Sequence, residues 1–305
     1  MIGRIILCVT ICIAPLMVAA QGNELRYGKN GFHGDFFESS SPSNQALILL
    51  GGAEGGNEFG NMMAPYFQAR GYHVLSLAYF QVEGLPGQLE HVPLEFVRRA
   101  MDWLRSEHDG EISRIGLIGG SKGAELALVA ATVFQGIDAL VLLSPSSVVW
   151  QSINHREFGS VESSWMFNGR PLPFLKYDFS RGVERMYDFY ATAIDNLDDD
   201  HSVIQAEKVD SPVLMVSGSQ DKLWPSKRMS EMIFSRLQGK GFPHTVDHVN
   251  FEEAGHLLIH AAAFDDHVEW PNSEIFDALG GSVEKFEEIA VGTLEKIAEF
   301  LDHEL

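Results

Sequence analysis

Apolar residues occur along the chain in short uninterrupted runs that alternate with stretches of helical spacing. Runs of five to seven residues are typical of buried strands and occupy residues 46–50, 72–78, 115–119, 139–144 and 212–218. Between residues 93 and 106 the apolar side chains instead recur at the period of a helix, at Leu94, Val97, Met101 and Leu104. Further helices are predicted over residues 62–70, 124–134 and 283–301.

This alternation predicts an α/β fold with a mostly parallel central sheet. Strands of continuous apolar character occur where helices cover both faces of a sheet, and ligands then bind at the carboxyl ends of the strands. The stretch from Trp150 to Val209 breaks the alternation and is rich in aromatic residues. We expect it to form an insertion over the strand ends, a lid or cap; the alternative is an irregular loop packed on the sheet edge.

The first twenty residues have the pattern of a cleaved secretory signal. A basic start with Arg4 is followed by an apolar run from Ile5 to Met17 and by the small pair Ala19-Ala20. The run is shorter than the roughly 20 apolar residues that span a bilayer. We therefore predict a signal peptide over residues 1–20, one α/β domain over residues 21–305, and a secreted or periplasmic protein. An uncleaved anchor or a wrongly assigned start codon is the alternative, and the protein would be cytoplasmic if these residues are not a signal.

Composition and charge exclude several classes of function. Of the 305 residues 45% are hydrophobic, which is too many for a disordered or fibrous chain. The 22 basic and 42 acidic residues give a formal net charge of −20, so the chain would repel a nucleic-acid backbone and an anionic membrane surface. Cleavage of the signal would remove both cysteines and leave no span in the membrane. We expect a small-molecule substrate as the partner.

Residues 119–123 form the pentapeptide Gly-Gly-Ser-Lys-Gly, a G-x-S-x-G motif. It follows an apolar strand directly and opens a helix directly, which is the setting of a nucleophile elbow. The flanking glycines leave room for a strained turn that lifts the hydroxyl of Ser121 clear of the backbone. The motif therefore makes Ser121 a candidate nucleophile.

A serine nucleophile needs a base and an acid that orients the base, and in this setting the chain order is serine, acid, histidine. Asp221 follows the strand that ends at residue 218, and His256 follows the apolar-polar run 245–249. Both would lie at the same sheet edge as Ser121. The competing candidates are His260 for the base, and Asp195 and Asp210 for the acid. Chain order and the position just after a strand end favour His256 and Asp221.

The backbone N–H of Lys122, the residue after the nucleophile, is the first expected donor to an oxyanion. The second is expected from the glycine-rich loop after the first strand, at Ala53, with Glu54 as the near alternative. A phosphate-binding loop is excluded because the G-x-x-x-x-G-K-[ST] order is absent. His256 and His260 are four residues apart, but the glutamate of H-E-x-x-H is missing, so we expect no metal and no cofactor.

Several longer motifs are more specific than the pentapeptide. The chain resembles the C-terminal catalytic domain of the acyl-CoA thioester hydrolase and bile acid-CoA:amino acid N-acyltransferase family over residues 45–305. The stretches that carry the resemblance are residues 77–80, 84–86, 93–96, 115–128, 216–226, 254–256 and 280–282. The resemblance implies an α/β-hydrolase fold, with the family's nucleophile, aspartate and histidine at Ser121, Asp221 and His256. The nucleophile is serine in the thioesterases and cysteine in the transferase, so Ser121 implies hydrolysis.

The residues and the resemblance together predict a serine hydrolase that cleaves acyl thioesters or carboxylic esters through an acyl-enzyme. The aromatic insertion, including Trp165, is expected to form the pocket for the acyl chain. The family enzymes work inside cells, where coenzyme A is present, whereas a signal peptide implies an extracytoplasmic ester or thioester. Three alternatives stay open: a carboxylesterase or peptidase with the same triad, acyl transfer to an amine, and a non-catalytic binding protein on the same fold.

Overall fold

An eight-stranded mixed sheet forms the centre of the molecule. The computed structural model describes residues 22–107, 111–154, 160–182, 184–264 and 268–305. The strands in chain order are β1 (Asn23–Leu25), β2 (His33–Phe37), β3 (Gln45–Leu50), β4 (His73–Ala78), β5 (Val92–Pro93), β6 (Arg114–Gly120), β7 (Ala139–Leu143), β8 (Trp165–Phe167), β9 (Arg170–Pro171), β10 (Val213–Gly218) and β11 (Val246–Phe251).

The strand order in this sheet is β1-β2-β4-β3-β6-β7-β10-β11. All neighbours from β4 to β11 are parallel, while β2 runs antiparallel to β4 and β1 antiparallel to β2. The chain leaves β3 for β4 on one side and later enters β6 on the other side. A parallel sheet opens a crevice at the carboxyl ends of the strands where its winding reverses in this way.

Helices cover both faces of the sheet. They are α1 (Tyr27–Asn30), α2 (Glu58–Gln68), α3 (Glu95–Glu107), α4 (Lys122–Val133), α5 (Met186–Asp195), α6 (Ser226–Gly239), α7 (Ser273–Leu279) and α8 (Phe286–Glu304).

Alternate residues of β3 point to opposite faces of the sheet. Ala46, Ile48 and Leu50 pack with α3 and α4, whereas Leu47 and Leu49 pack with α2 and α8, and all five are fully buried. This confirms the predicted parallel sheet covered on both faces.

Some elements differ from the sequence prediction. Helix α2 begins at Glu58 rather than at residue 62, because its first turn carries polar residues that do not appear in an apolar pattern. The last helix begins at Phe286 rather than at residue 283. The apolar pattern also did not predict β1, β2 and α6. Strands β1 and β2 are short and contain polar residues: none of the three residues of β1 is buried, and three of the five residues of β2 are.

The insertion between β7 and β10 has its own small core. It contains α5 and contributes β8 and β9 to a three-stranded sheet with β5. Trp150 is fully buried and packs edge-on against Tyr190, with the two ring centroids 4.8 Å apart. Tyr190 in turn packs edge-on against Trp224, which lies in the loop after β10. The insertion is therefore anchored beside the carboxyl ends of the strands.

A buried ion pair ties helix α4 to the insertion. The Lys122 ammonium lies 2.6 Å from Oε2 of Glu125 and 2.9 Å from Oγ of Ser164, and both charged side chains are buried. Oε1 of Glu125 accepts hydrogen bonds from the backbone N–H of Trp150, at 2.9 Å, and from Nε1 of Trp165, at 2.7 Å. Burial lowers the pKa of the Lys122 ammonium, and the charge of Glu125 opposes this shift. The Lys122–Glu125 pair thus connects the start of α4 to three residues of the insertion, Trp150, Ser164 and Trp165.

Two sequence expectations concern the chain's N-terminal end and membranes. Residues 1–20, the predicted signal peptide, lie outside the described residues. Within the residues that the structure describes, none of the helices has the length and apolar character needed to cross a bilayer.

We predict that Glu125→Ala lowers the free energy of unfolding by about 3–5 kcal/mol, because it leaves the buried Lys122 ammonium without its counter-charge. Urea denaturation followed by circular dichroism measures this change. The matched control is Glu288→Ala, which breaks an exposed ion pair of the same spacing with Lys285 and should change stability little. Equal effects of the two substitutions would contradict the importance assigned to the buried pair.

Candidate active site

Ser121 occupies a strained turn between a strand and a helix. Strand β6 ends at Gly120 and helix α4 begins at Lys122, so Ser121 alone makes the connection. Its φ is 55° and its ψ is −118°, a backbone conformation that a residue with a side chain adopts at a cost of about 1–3 kcal/mol. The turn is held because the N–H of Ser121 donates to the carbonyl of Leu143, at 2.9 Å, on the neighbouring strand. The G-x-S-x-G motif therefore forms the turn that its sequence predicts.

Two glycines of the motif make this turn sterically possible. A Cβ built on Gly119 would lie 2.3 Å from the carbonyl oxygen of Gly123, across the turn. A Cβ built on Gly123 would lie 2.2 Å from the carbonyl oxygen of Gly51 and 2.3 Å from that of Leu50. No side chain fits at either distance. The backbone at the start of α4 thus lies directly against the end of β3.

The structure brings Ser121, His256 and Asp221 together in one line of hydrogen bonds. Nε2 of His256 lies 2.9 Å from Oγ of Ser121, and Nδ1 of the same ring lies 2.9 Å from Oδ2 of Asp221. The exposed fraction of His256 is 9% and that of Asp221 is 7%. The three residues come from loops after β6, β11 and β10, so the carboxyl ends of three parallel strands converge on them.

The Asp221 carboxylate is fixed by its own loop. Oδ1 accepts hydrogen bonds from the backbone N–H of Leu223, at 2.8 Å, and of Trp224, at 3.1 Å. Oδ2 accepts a hydrogen bond from the hydroxyl of Ser226, at 2.6 Å, besides its contact with His256. These three donors orient the carboxylate toward the imidazole.

The backbone of His256 is held from two sides. Its N–H donates to the carbonyl of Leu279, at 2.8 Å, and its carbonyl accepts from the hydroxyl of Ser144, at 2.8 Å. A Cβ built on the preceding Gly255 would lie 2.1 Å from the carbonyl oxygen of Gly280. The histidine loop is therefore packed closely between the end of β7 and the loop after α7.

The alternative candidates for base and acid have other partners. Nδ1 of His260 accepts a hydrogen bond from the backbone N–H of Ala262, at 3.2 Å. Asp195 forms an ion pair with Arg228, at 2.6 Å, and Oδ1 of Asp210 lies 2.9 Å from Nε2 of His244. In the described parts of the chain, no group of three or more His, Cys, Asp or Glu side chains is arranged to hold a metal ion.

The loop after β3, residues 51–56, lies beside Ser121. The hydroxyl of the fully buried Tyr79 donates to the carbonyl oxygens of Gly51, at 2.6 Å, and Gly52, at 2.9 Å. Burial raises the pKa of Tyr79 well above its ordinary value, so the hydroxyl keeps its proton for these contacts. This tyrosine fixes the loop that the sequence predicts as a source of the second oxyanion donor.

The side chain of Glu54 folds back over this loop. Its Oε1 accepts a hydrogen bond from the N–H of Gly52, at 2.7 Å. Although the residue is accessible to solvent, protein atoms surround the carboxyl group, and this desolvation raises its pKa. Among the described residues the N–H of Ala53 has no hydrogen-bond partner. Sequence reasoning considered only the backbone of Glu54 and missed its side chain.

An aromatic wall stands next to the imidazole. The ring of Trp224 packs edge-on against His256, with centroids 5.5 Å apart, and Trp224 contacts Tyr190 of the insertion. Trp165, which the sequence suggested for an acyl-chain pocket, is instead fully buried and donates to Glu125. Tyr190 of the insertion therefore contacts Trp224, which in turn contacts His256.

Comparison with known proteins assigns the family. The model of the family described as BAAT / Acyl-CoA thioester hydrolase C terminal matches residues 92–305, which include Ser121, Asp221 and His256. The chain belongs to this family. A relative, human mitochondrial acyl-coenzyme A thioesterase 2, is 29% identical over 201 residues, covering 64% of this chain and 39% of the relative. Human acyl-coenzyme A thioesterase 6 is 27% identical over 220 residues, covering 70% of this chain and 48% of the relative. The chain spans less than half the length of these relatives.

Solved structures similar to this member of the thioester hydrolase family are α/β hydrolases. An esterase from Pyrococcus furiosus matches with a TM-score of 0.51 at 15% identity, covering 94% of this chain and 96% of the esterase. An acylaminoacyl peptidase from Pyrococcus horikoshii matches with a TM-score of 0.53 at 15% identity, covering 90% of this chain and 40% of the peptidase. At these identities the similarity establishes the fold, which is the α/β-hydrolase fold expected from the sequence.

We predict that Gly123→Ala lowers the free energy of unfolding by about 1–3 kcal/mol, because the new methyl group must push the end of β3 away from the turn. Urea denaturation measures the loss. Gly239→Ala is the control, since a Cβ built at that position meets no atom within 4 Å, and we expect it to be neutral or slightly stabilising. A Gly123→Ala variant as stable as the control would show that the close approach of the two segments is not tight.

Proposed function

We propose that the chain is a serine hydrolase that cleaves acyl thioesters or carboxylic esters through an acyl-enzyme. The observation that carries this proposal is the line of hydrogen bonds from Asp221 through His256 to Ser121, at the carboxyl ends of the strands. Family membership supports the reaction class, since the relatives reported above are acyl-coenzyme A thioesterases. The short spacing of nucleophile, base and orienting acid is what nucleophilic catalysis by serine requires.

In the proposed acylation step, Oγ of Ser121 attacks the carbonyl carbon of the substrate. Nε2 of His256 takes the hydroxyl proton as the bond forms, and it returns that proton to the leaving thiol or alcohol. Asp221 holds the imidazole through Nδ1 and stabilises its cation. Water then attacks the acyl-enzyme with His256 as the base. The bond between the acyl carbon and Oγ of Ser121 breaks, His256 returns the proton to Oγ, and the carboxylic acid leaves.

The oxyanion of the tetrahedral intermediate would be bound by the backbone N–H groups of Lys122 and Ala53. Lys122 is the first residue of α4, so its N–H has no acceptor within the helix. In the loop after β3, Oε1 of Glu54 already accepts the N–H of Gly52. The N–H of Ala53 has no hydrogen-bond partner among the described residues, so we assign the second donor to Ala53, with Glu54 as the alternative.

We predict that Ser121→Ala lowers kcat/KM by a factor of roughly 10⁴ or more, because the triad acts as a unit. Release of thiol from an acyl thioester measures the change, with a serine-directed phosphonate as an independent probe of labelling. Ser106→Ala, an exposed serine on α3, is the control and should keep the activity and the labelling of the parent. If Ser121→Ala keeps more than a tenth of the activity, Ser121 is not the nucleophile.

The leaving group is tested with the chain from Gln21 and a series of acyl-CoA esters of increasing chain length. Simple oxygen esters and amides are measured alongside, and an amine acceptor is added to detect amide products. Ser121-dependent release that favours the CoA esters is expected for a thioesterase. Hydrolysis of oxygen esters alone would move the substrate away from CoA, and amide cleavage would favour a peptidase. Amide formation would favour acyl transfer.

We propose that the chain is exported and that its mature form begins at Gln21. The proposal depends only on the basic start, the apolar run and the Ala19-Ala20 pair of the first twenty residues. Expression of the full chain in a cell with a secretion pathway, followed by mass determination of the N-terminal peptide, tests it. Recovery of the intact N-terminus in the cytoplasm would contradict export.

A further inference from the structure

The carboxylate of Glu54 lies next to the proposed nucleophile. The position that a Cβ would occupy on Gly52 is 2.7 Å from Oε2 of Glu54 and 3.2 Å from Cβ of Ser121. The carboxylate and the serine therefore border the same small space. Oε1 of Glu54 is held there by the N–H of Gly52, at 2.7 Å. The position of this charge is thus set by a hydrogen bond within the loop.

The charges around Glu54 leave its effect on a substrate largely uncompensated. The ionisable groups that act on it from neighbouring elements are Glu58 of α2, Tyr79 after β4 and His256 after β11. Of these, only His256 carries a positive charge, and it does so only when protonated. The Lys122 ammonium, the basic group closest in sequence to Ser121, is buried against Glu125 and does not reach the loop.

We infer that Glu54 determines the charge preference of the site: it disfavours substrates with a negative charge near the scissile carbonyl and favours neutral or cationic ones. This inference rests on the proposed hydrolysis at Ser121. A carboxylate and a second anion a few ångströms apart repel each other, and protein surroundings weaken this repulsion less than bulk water does. Since Glu54 is accessible to solvent, screening reduces the effect, and we expect about a tenfold discrimination, equivalent to about 1.4 kcal/mol.

The test uses thioesters that differ only in the charge of one terminal group. In one series the thiol ends in a trimethylammonium, a tert-butyl or a sulfonate group, which have similar size and shape. In a second series the same three groups end the acyl chain. The measured quantity is the ratio of kcat/KM for the cationic substrate to kcat/KM for the anionic substrate, in the parent chain and in Glu54→Gln. Glutamine keeps an oxygen acceptor for the N–H of Gly52 but removes the charge.

We predict that Glu54→Gln lowers this ratio about tenfold in at least one series, and that the difference from the parent shrinks as salt is added. Glu58→Gln is the matched control, because it removes an equal charge from the same region, and its ratio should stay within about threefold of the parent. An unchanged ratio in Glu54→Gln in both series, with Ser121-dependent hydrolysis intact, would overturn this inference alone. Absence of Ser121-dependent hydrolysis of all the substrates would overturn the proposed function and the inference with it.

Discussion

The close approach of two backbone segments is the constraint on which the site depends. The start of α4 lies so near the end of β3 that only hydrogen fits on Gly123, and only hydrogen fits on Gly119 across the turn. This contact fixes Ser121 in its strained conformation and places the loop after β3 beside it. This one contact therefore sets the positions of the proposed nucleophile, of the proposed oxyanion donors and of the Glu54 carboxylate. A fold that kept the strands but separated these segments would have the residues without the site.

Short hydrogen bonds from neighbouring loops and strands hold the main groups of the site in place. Asp221 is bound by its own loop, and the backbone of His256 is held by Leu279 and Ser144. Tyr79 holds the loop after β3 through two carbonyl groups. Such groups do not need to reorganise when charge develops in a reaction, which is the physical basis of electrostatic preorganisation. The arrangement fits the proposed hydrolysis for this reason.

The sheet and the hydrogen-bonded residues Ser121, Asp221 and His256 could be predicted because short stretches of sequence indicate each of them. Continuous apolar runs gave the central strands, and a strand followed at once by G-x-S-x-G placed Ser121 at a strand end. Chain order and strand ends then placed Asp221 and His256 at the same edge of the sheet, where the structure brings them within 2.9 Å of their partners. The catalytic roles of these residues are still predictions, which the Ser121→Ala experiment addresses.

What the sequence did not predict depends on contacts between distant segments or on the direction of a side chain. Strands β1 and β2 are partly polar, so no apolar run marks them. The partners of Glu125 lie 25 and 40 residues further along the chain, and no spacing rule connects them. Lys122 and Glu125 link the turn at Ser121 to the insertion through a buried ion pair and its hydrogen bonds. In evolutionary terms, an exchanged insertion would have to supply equivalent hydrogen-bond donors at the positions of Trp150 and Trp165, or it would leave the buried carboxylate of Glu125 short of partners.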